Sequence, residues 1–98
     1  TLVFDEIDSG TSGEVANTIG KMMKNMGLKI QIISITHLPQ VASRADHHFK
    51  VFKTNFENKI VTNIKKLDNS KRANEIAAMI SGENITNSAI DQAYELLK

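Results

Sequence analysis

Two short apolar runs, each ending abruptly in polar side chains, do most to constrain the fold. Leu2-Val3-Phe4 runs into Asp5-Glu6, and the β-branched, apolar stretch Lys29 to Ile35 runs into Thr36-His37. Between them, Val15, Ile19, Met22, Met23 and Met26 recur at the spacing of one helical face. Apolar runs without alternation are the pattern of strands covered on both faces of a parallel sheet. The expectation is therefore two buried parallel strands, Thr1 to Phe4 and Lys29 to Ile35, joined by a helix. Such a βαβ crossover is right-handed and brings both carboxyl ends to the same edge. That edge is where open parallel sheets take their ligands, so Asp5, Glu6 and His37 are expected together there.

The remaining punctuation extends this unit. Ser9 to Gly13 is rich in glycine and serine and reads as a loop. Thr11 and Glu14 have the spacing of a capping box, and Gly27 suits a helix end. Pro39 fits the first turn of a short helix through Ala45, because its missing N–H is not needed there. His47 to Thr54 and Lys59 to Leu67 predict two strands joined by a turn over Asn55 to Asn58. Ala73, Ile76, Ala77 and Ile80 predict a helix closed by Gly82. Ala89, Ile90, Ala93, Leu96 and Leu97 predict another, opening at Thr86. The expected order is β-α-β-α-β-β-α-α, an α/β chain with parallel strands plus a hairpin.

Composition excludes several classes. The 98 residues suit one small domain or a piece of a larger one, and 41% hydrophobic content is enough for a modest core. There is no cysteine, so disulfide frameworks and cysteine zinc sites are ruled out, which fits a reducing compartment. No apolar run approaches the roughly 20 residues of a membrane span, and no signal peptide is visible. Because the first residues already read as a buried strand, the natural amino terminus is expected upstream. Net charge is only +1, yet residues 44–72 hold eight basic and three acidic side chains, while residues 73–98 hold one and four. A solvated lysine-rich hairpin and a nucleic-acid or acidic-partner surface both fit that asymmetry.

The chemistry concentrates at the strand ends. Two acids closing an apolar strand are costly unless they meet a cation or a hydrogen-bond network. In nucleotide hydrolases the first such acid holds Mg²⁺ and the second polarises the attacking water. Alternation along a strand sends Asp5 and Glu6 to different sides, which suits different roles. His37 would sit beside them and donate to a phosphate oxygen. The adjacent His47 and His48 beside Asp46 point to opposite faces of a strand and make a poor chelate. The methionines are most simply core filler. No nucleophile elbow surrounds Ser12, which disfavours serine hydrolysis.

Several of these segments resemble a known family. Thr1 to Glu6 resembles the Walker B strand of ABC-type ATPases, and Ile7 to Gly13, IDSGTSG, resembles their D-loop. ITHLPQVASRADHHF, Ile35 to Phe49, resembles the H-loop region of the RecN family of bacterial DNA-repair proteins, which are similar to the chromosome-structuring SMC ATPases. Arg72, EIAAMISG and the final helix resemble the carboxyl terminus of that family, so the resemblance covers essentially the whole chain. It implies that Asp5 is the Mg²⁺-associated acid, Glu6 the catalytic acid and His37 the switch histidine at the γ-phosphate. It further implies that Asp8, Ser9, Gly10, Ser12 and Gly13 belong to a nucleotide-binding loop that crosses to a partner head. Many ABC-type members have an aspartate where this chain has Ser12, and no role copied from that aspartate carries over.

No G-x-x-x-x-G-K-[ST] loop, Q-loop or LSGG-type signature occurs in the 98 residues. The resemblance places those upstream, across a long coiled coil. Residues 1–98 are thus expected to form the carboxyl-terminal lobe of a partial P-loop, ABC-type head, inactive alone. The whole protein would use ATP and Mg²⁺, with DNA, the amino-terminal half of the same head and a second head of a homodimer as partners. It would be cytoplasmic and nucleoid-associated, with no membrane partner. The rival class is a non-enzymatic α/β interaction module whose acids serve a partner or metal surface.

Overall fold

The computed structural model describes residues 1–6 and 10–98. The elements follow the expected order: β1 (Leu2–Asp5), α1 (Gly13–Met26), β2 (Ile32–Ile35), α2 (Pro39–Ala42), β3 (Phe49–Phe56), β4 (Lys59–Lys66), α3 (Asn69–Ser81) and α4 (Asn87–Leu97). β1 and β2 pair in parallel, with Leu2 opposite Ile32 and Asp5 opposite Ile35. β3 and β4 form an antiparallel hairpin from Phe49 opposite Lys66 to Phe56 opposite Lys59. The two pairs are separate sheets.

Local chemistry accounts for most boundaries. The Ser12 side chain accepts from Val15 N–H and caps α1, one residue later than the Thr11 capping box would have it. β2 is shorter than expected because Leu28, Lys29 and Ile30 still donate to carbonyls of Asn25 and Met26, prolonging the helix end. α2 closes at Ala42 rather than Ala45, and the chain turns through Ser43 and Arg44. The hairpin turn is tighter than expected. Glu57 and Asn58 both have positive φ, 48° and 63°, the two-residue turn whose twist matches the flanking strands. This tight turn carries β3 on to Phe56. Its start at Phe49 instead of His47 leaves both histidines in the connection. Thr86 Oγ1 accepts from Ala89 N–H at 3.0 Å and opens α4 as expected. Gly82 closes α3 at φ +79°, a backbone that glycine adopts without penalty.

Burial divides the molecule into two cores. Ala42, Ile76, Ala77, Ala89 and Ala93 form one between α2, α3 and α4. Ile76 is fully buried, worth about 1.5–3 kcal/mol of transfer free energy. Ala16, Met23 and Val41 form the other, with Phe4, Ile19, Ile32 and Leu38 against them.

Two expectations about burial are corrected. β1 and β2 are not buried strands in this chain. Val3 is 62% and Ile35 51% exposed, because among the described residues β1 and β2 have only each other as sheet neighbours. On α1 the face turned to the core is Ala16, Gly20 and Met23, while Val15 and Met22 are exposed. The reason is close approach: a Cβ at Gly20 would lie 2.7 Å from Gln40 O and 3.0 Å from Arg44 Cγ. α2 can pack this tightly only against small residues.

Candidate functional site

The carboxyl edge of the β1–β2 pair gathers the strand-end residues. Asp5 is the last residue of β1 and is exposed. Glu6 follows it in a left-handed conformation, φ 52°, rare for a residue with a Cβ and costing about 1–3 kcal/mol where it persists. The Glu6 N–H donates to Ile35 O at 2.8 Å. The parallel register thus continues one residue past the strand and holds the Glu6 backbone against the end of β2. His37, exposed, lies two residues beyond that carbonyl. Among the described residues neither Asp5 nor Glu6 takes part in an ion pair.

The backbone that mounts His37 is braced on both sides. Leu38 N–H donates to Thr36 Oγ1 at 3.0 Å. Buried Pro39 begins α2 with Leu38 as its cap residue. Asp8 and Ser9 lie outside the described residues. Gly10 is exposed with φ 78°. Ser12 and Gly13 sit at the start of α1, where a Cβ on Gly13 would come 3.3 Å from Gln40 Nε2. An open cleft of about 240 Å³ runs between this corner, with Thr11, Gly13, Leu38 and Gln40, and the far wall of Met79 and Gln92. The structure therefore brings Asp5, Glu6 and His37 to one edge, with Ser12 and Gly13 beside the helix that follows the histidine.

A second polar cluster lies behind α2, and its contacts join residues that the sequence pattern did not connect. Arg72, in the first turn of α3, donates through Nη2 to Ala42 O at 3.1 Å, to Ser43 O at 3.2 Å and to Ala45 O. Burial lowers the Arg72 guanidinium from its ordinary range, against the opposing pull of Asp46, though arginine stays charged at any working pH. His48 is half-buried, its Nδ1 without a partner. Burial is the main cause holding its imidazole below the ordinary range; Arg72 adds to the effect and Glu75 opposes it. Lys50 pairs with Glu75 at 2.7 Å. Asp46 pairs with Lys24, whose hydrogen bond and charge lower the carboxyl's pKa. Arg44 Nη2 donates to Asn17 Oδ1 at 3.1 Å, tying α2's end to α1.

Comparisons with known proteins agree on a family. No protein-family model matches the chain. It is 45% identical over 97 residues to the DNA repair protein RecN of Rickettsia conorii, covering 99% of this chain and 18% of that protein. RecN of Vibrio cholerae is 40% identical, with 99% of this chain and 18% of that protein covered. RecN of Haemophilus influenzae is 38% identical, with 99% and 17% covered. The chain thus spans less than a fifth of the length of these relatives. A solved chain from work on ATP-driven dimerization and DNA-stimulated activation of SMC ATPases has the same fold, with a TM-score of 0.64 at 20% identity, covering 85% of this chain and 48% of that one. Over the segment it spans, the chain is similar along almost every residue to RecN proteins of several bacteria.

Proposed function

We propose that residues 1–98 form the carboxyl-terminal lobe of the ATP-hydrolysing head of a RecN-type DNA-repair ATPase. The observation that carries this reading is the joint at the carboxyl edge, where Glu6, in a left-handed conformation, donates its N–H to Ile35 O, two residues from His37. Strained backbone that surrounding structure over-determines is typical of sites under functional constraint. Asp5 and Glu6 offer hard carboxylate oxygens, the donor type that suits Mg²⁺, which is usually held by one or two carboxylates plus substrate phosphates. When bound, Mg-ATP supplies the phosphoanhydride and the charge screening of its phosphates. Asp5 would hold the metal, directly or through water. Glu6 would orient the attacking water and take its proton. His37 would donate to a γ-phosphate oxygen. The loop from Asp8 to Gly13 would cross to a second head of a homodimer.

The remaining parts of the site come from elsewhere in the protein. The phosphate cradle, and the strands that cover β1 and β2, would come from the amino-terminal half of the head. The cycle would be coupled to DNA in double-strand-break repair, in the cytoplasm at the nucleoid. Exposed β1 and β2 support a missing half-domain.

The test uses the full-length protein. Glu6→Gln keeps the shape and removes the basic charge, so it should retain ATP binding and lower turnover by about 10²–10⁴-fold. His37→Ala should slow turnover more than it weakens affinity, because a contact that tightens in the transition state acts on kcat. Steady-state hydrolysis near normal in Glu6→Gln would sink the role of Glu6 and favour a non-enzymatic interaction module.

A further inference from the structure

We infer that Arg72 is a positioning residue for His37, setting its place from α3 through the short helix α2. This rests on the reading of His37 as the γ-phosphate contact. The exposed His37 side chain has no bonding partner among the described residues, so its position is decided by its backbone. Upstream, that backbone is fixed by the β1–β2 register and by Leu38 N–H on Thr36 Oγ1. Downstream, it enters α2 after one residue. Pro39 locks the dihedral at that entry, so a shift of α2 passes to His37 with little slack.

α2 has four residues, far too few to be stable as a helix in isolation. Its last carbonyls look beyond the helix for partners: Val41 O accepts from Arg44 N–H at 3.1 Å and Ala42 O from Ala45 N–H at 3.3 Å. Val41 and Ala42 seat its carboxyl end in the two cores, and Arg44 Nη2 on Asn17 Oδ1 ties the chain just beyond it to α1. Arg72 is the long-range side-chain anchor from α3 at this end, spreading one Nη2 across the carbonyls of Ala42, Ser43 and Ala45. Its own frame is rigid: the same helix carries Ile76 and Ala77, both fully buried. Arg72 Nε is buried without a partner, a cost set against three carbonyl contacts that the shorter reach and point charge of a lysine do not reproduce.

A double-mutant cycle in the full-length protein separates positioning from plain support of the fold. Arg72→Lys keeps the charge, and Arg72→Gln keeps a donor without an unpaired charge should the lysine variant fold poorly. Displacing a reacting group by about 1 Å can cost about 10²-fold in rate. Turnover should therefore fall by at least about tenfold in either variant, while ATP affinity stays within about threefold. Added to His37→Ala, the same substitutions should lower turnover little further, because residues acting as one unit are not additive. Equal losses with and without His37 would overturn the assignment, as would unchanged turnover with only a lowered melting temperature. If His37→Ala itself leaves turnover intact, the reading of His37 fails and the positioning role with it. If His37→Ala slows turnover and neither Arg72 variant does, the positioning role alone fails.

Discussion

At the scale of single residues, His48 has the plainest consequence for pH. Its imidazole lies close to Arg72, with Nδ1 unpartnered, and its pKa is lowered chiefly by burial. The folded state therefore takes up the proton less readily than the unfolded chain, whose histidine titrates near 6.5. Above that value both states are neutral there and His48 contributes nothing to the pH dependence. As pH falls below it, the unfolded chain gains protons first and stability declines until the folded pKa is passed. Denaturant melts of the wild type should lose stability on acidification from about pH 6.5, and His48→Gln should flatten that limb. An identical slope in the variant would show that His48 is not the group responsible. Sequence alone could not single out this residue. His47 and His48 look alike in the chain, and only packing beside α3 half-buries one and leaves the other exposed.

At the scale of elements, the α1–α2 contact shows where pattern reading succeeded and where it did not. Helix existence, the βαβ order, the Thr86 cap and the Gly82 end were legible, because they depend on local chemistry. The buried face of α1 was legible only in part: Met23 is buried and Ile19 packs against the core as expected, but Ala16 and Gly20 were missed, because large apolar side chains draw the eye while close packing also selects small ones. Gly20 tests that account with opposite signs. Replacing a helical glycine by alanine ordinarily stabilises by about 1 kcal/mol. Here the new methyl would meet the Gln40 carbonyl at 2.7 Å, and overpacking of that kind costs about 1–3 kcal/mol. Gly20→Ala should be net destabilising in thermal or denaturant melts, and a stabilised variant would mean the helices stand further apart. The three-carbonyl clamp of Arg72 was equally invisible, since it joins residues about 30 apart.

At the scale of the molecule, the shared edge on which Asp5, Glu6 and His37 stand was legible because a parallel register needs only two strands to set it. The burial of those strands was not, because an apolar run does not say whether anything covers it, and among the described residues β1 and β2 pair only with each other. Both sheets have open edges, and Val3, Ile33, Val51, Phe56, Ile60 and Ile64 are exposed. Such edges template pairing with other chains. The 98-residue chain alone should therefore scatter light as species heavier than its 10.9 kDa at high concentration. A monodisperse monomer there would count against open edges as the governing feature.

The smallest helix has a consequence out of proportion to its size. Val41 belongs to one core and its neighbour Ala42 to the other, so α2 contributes to both. All-or-none unfolding needs each part of a protein to lose stability when the other does, and here that mutual dependence passes through α2. Loosening those four residues is expected to weaken that coupling, so that the two cores melt in separate steps of a thermal scan. The element with the least helix of its own is thus the keystone of the chain's cooperativity.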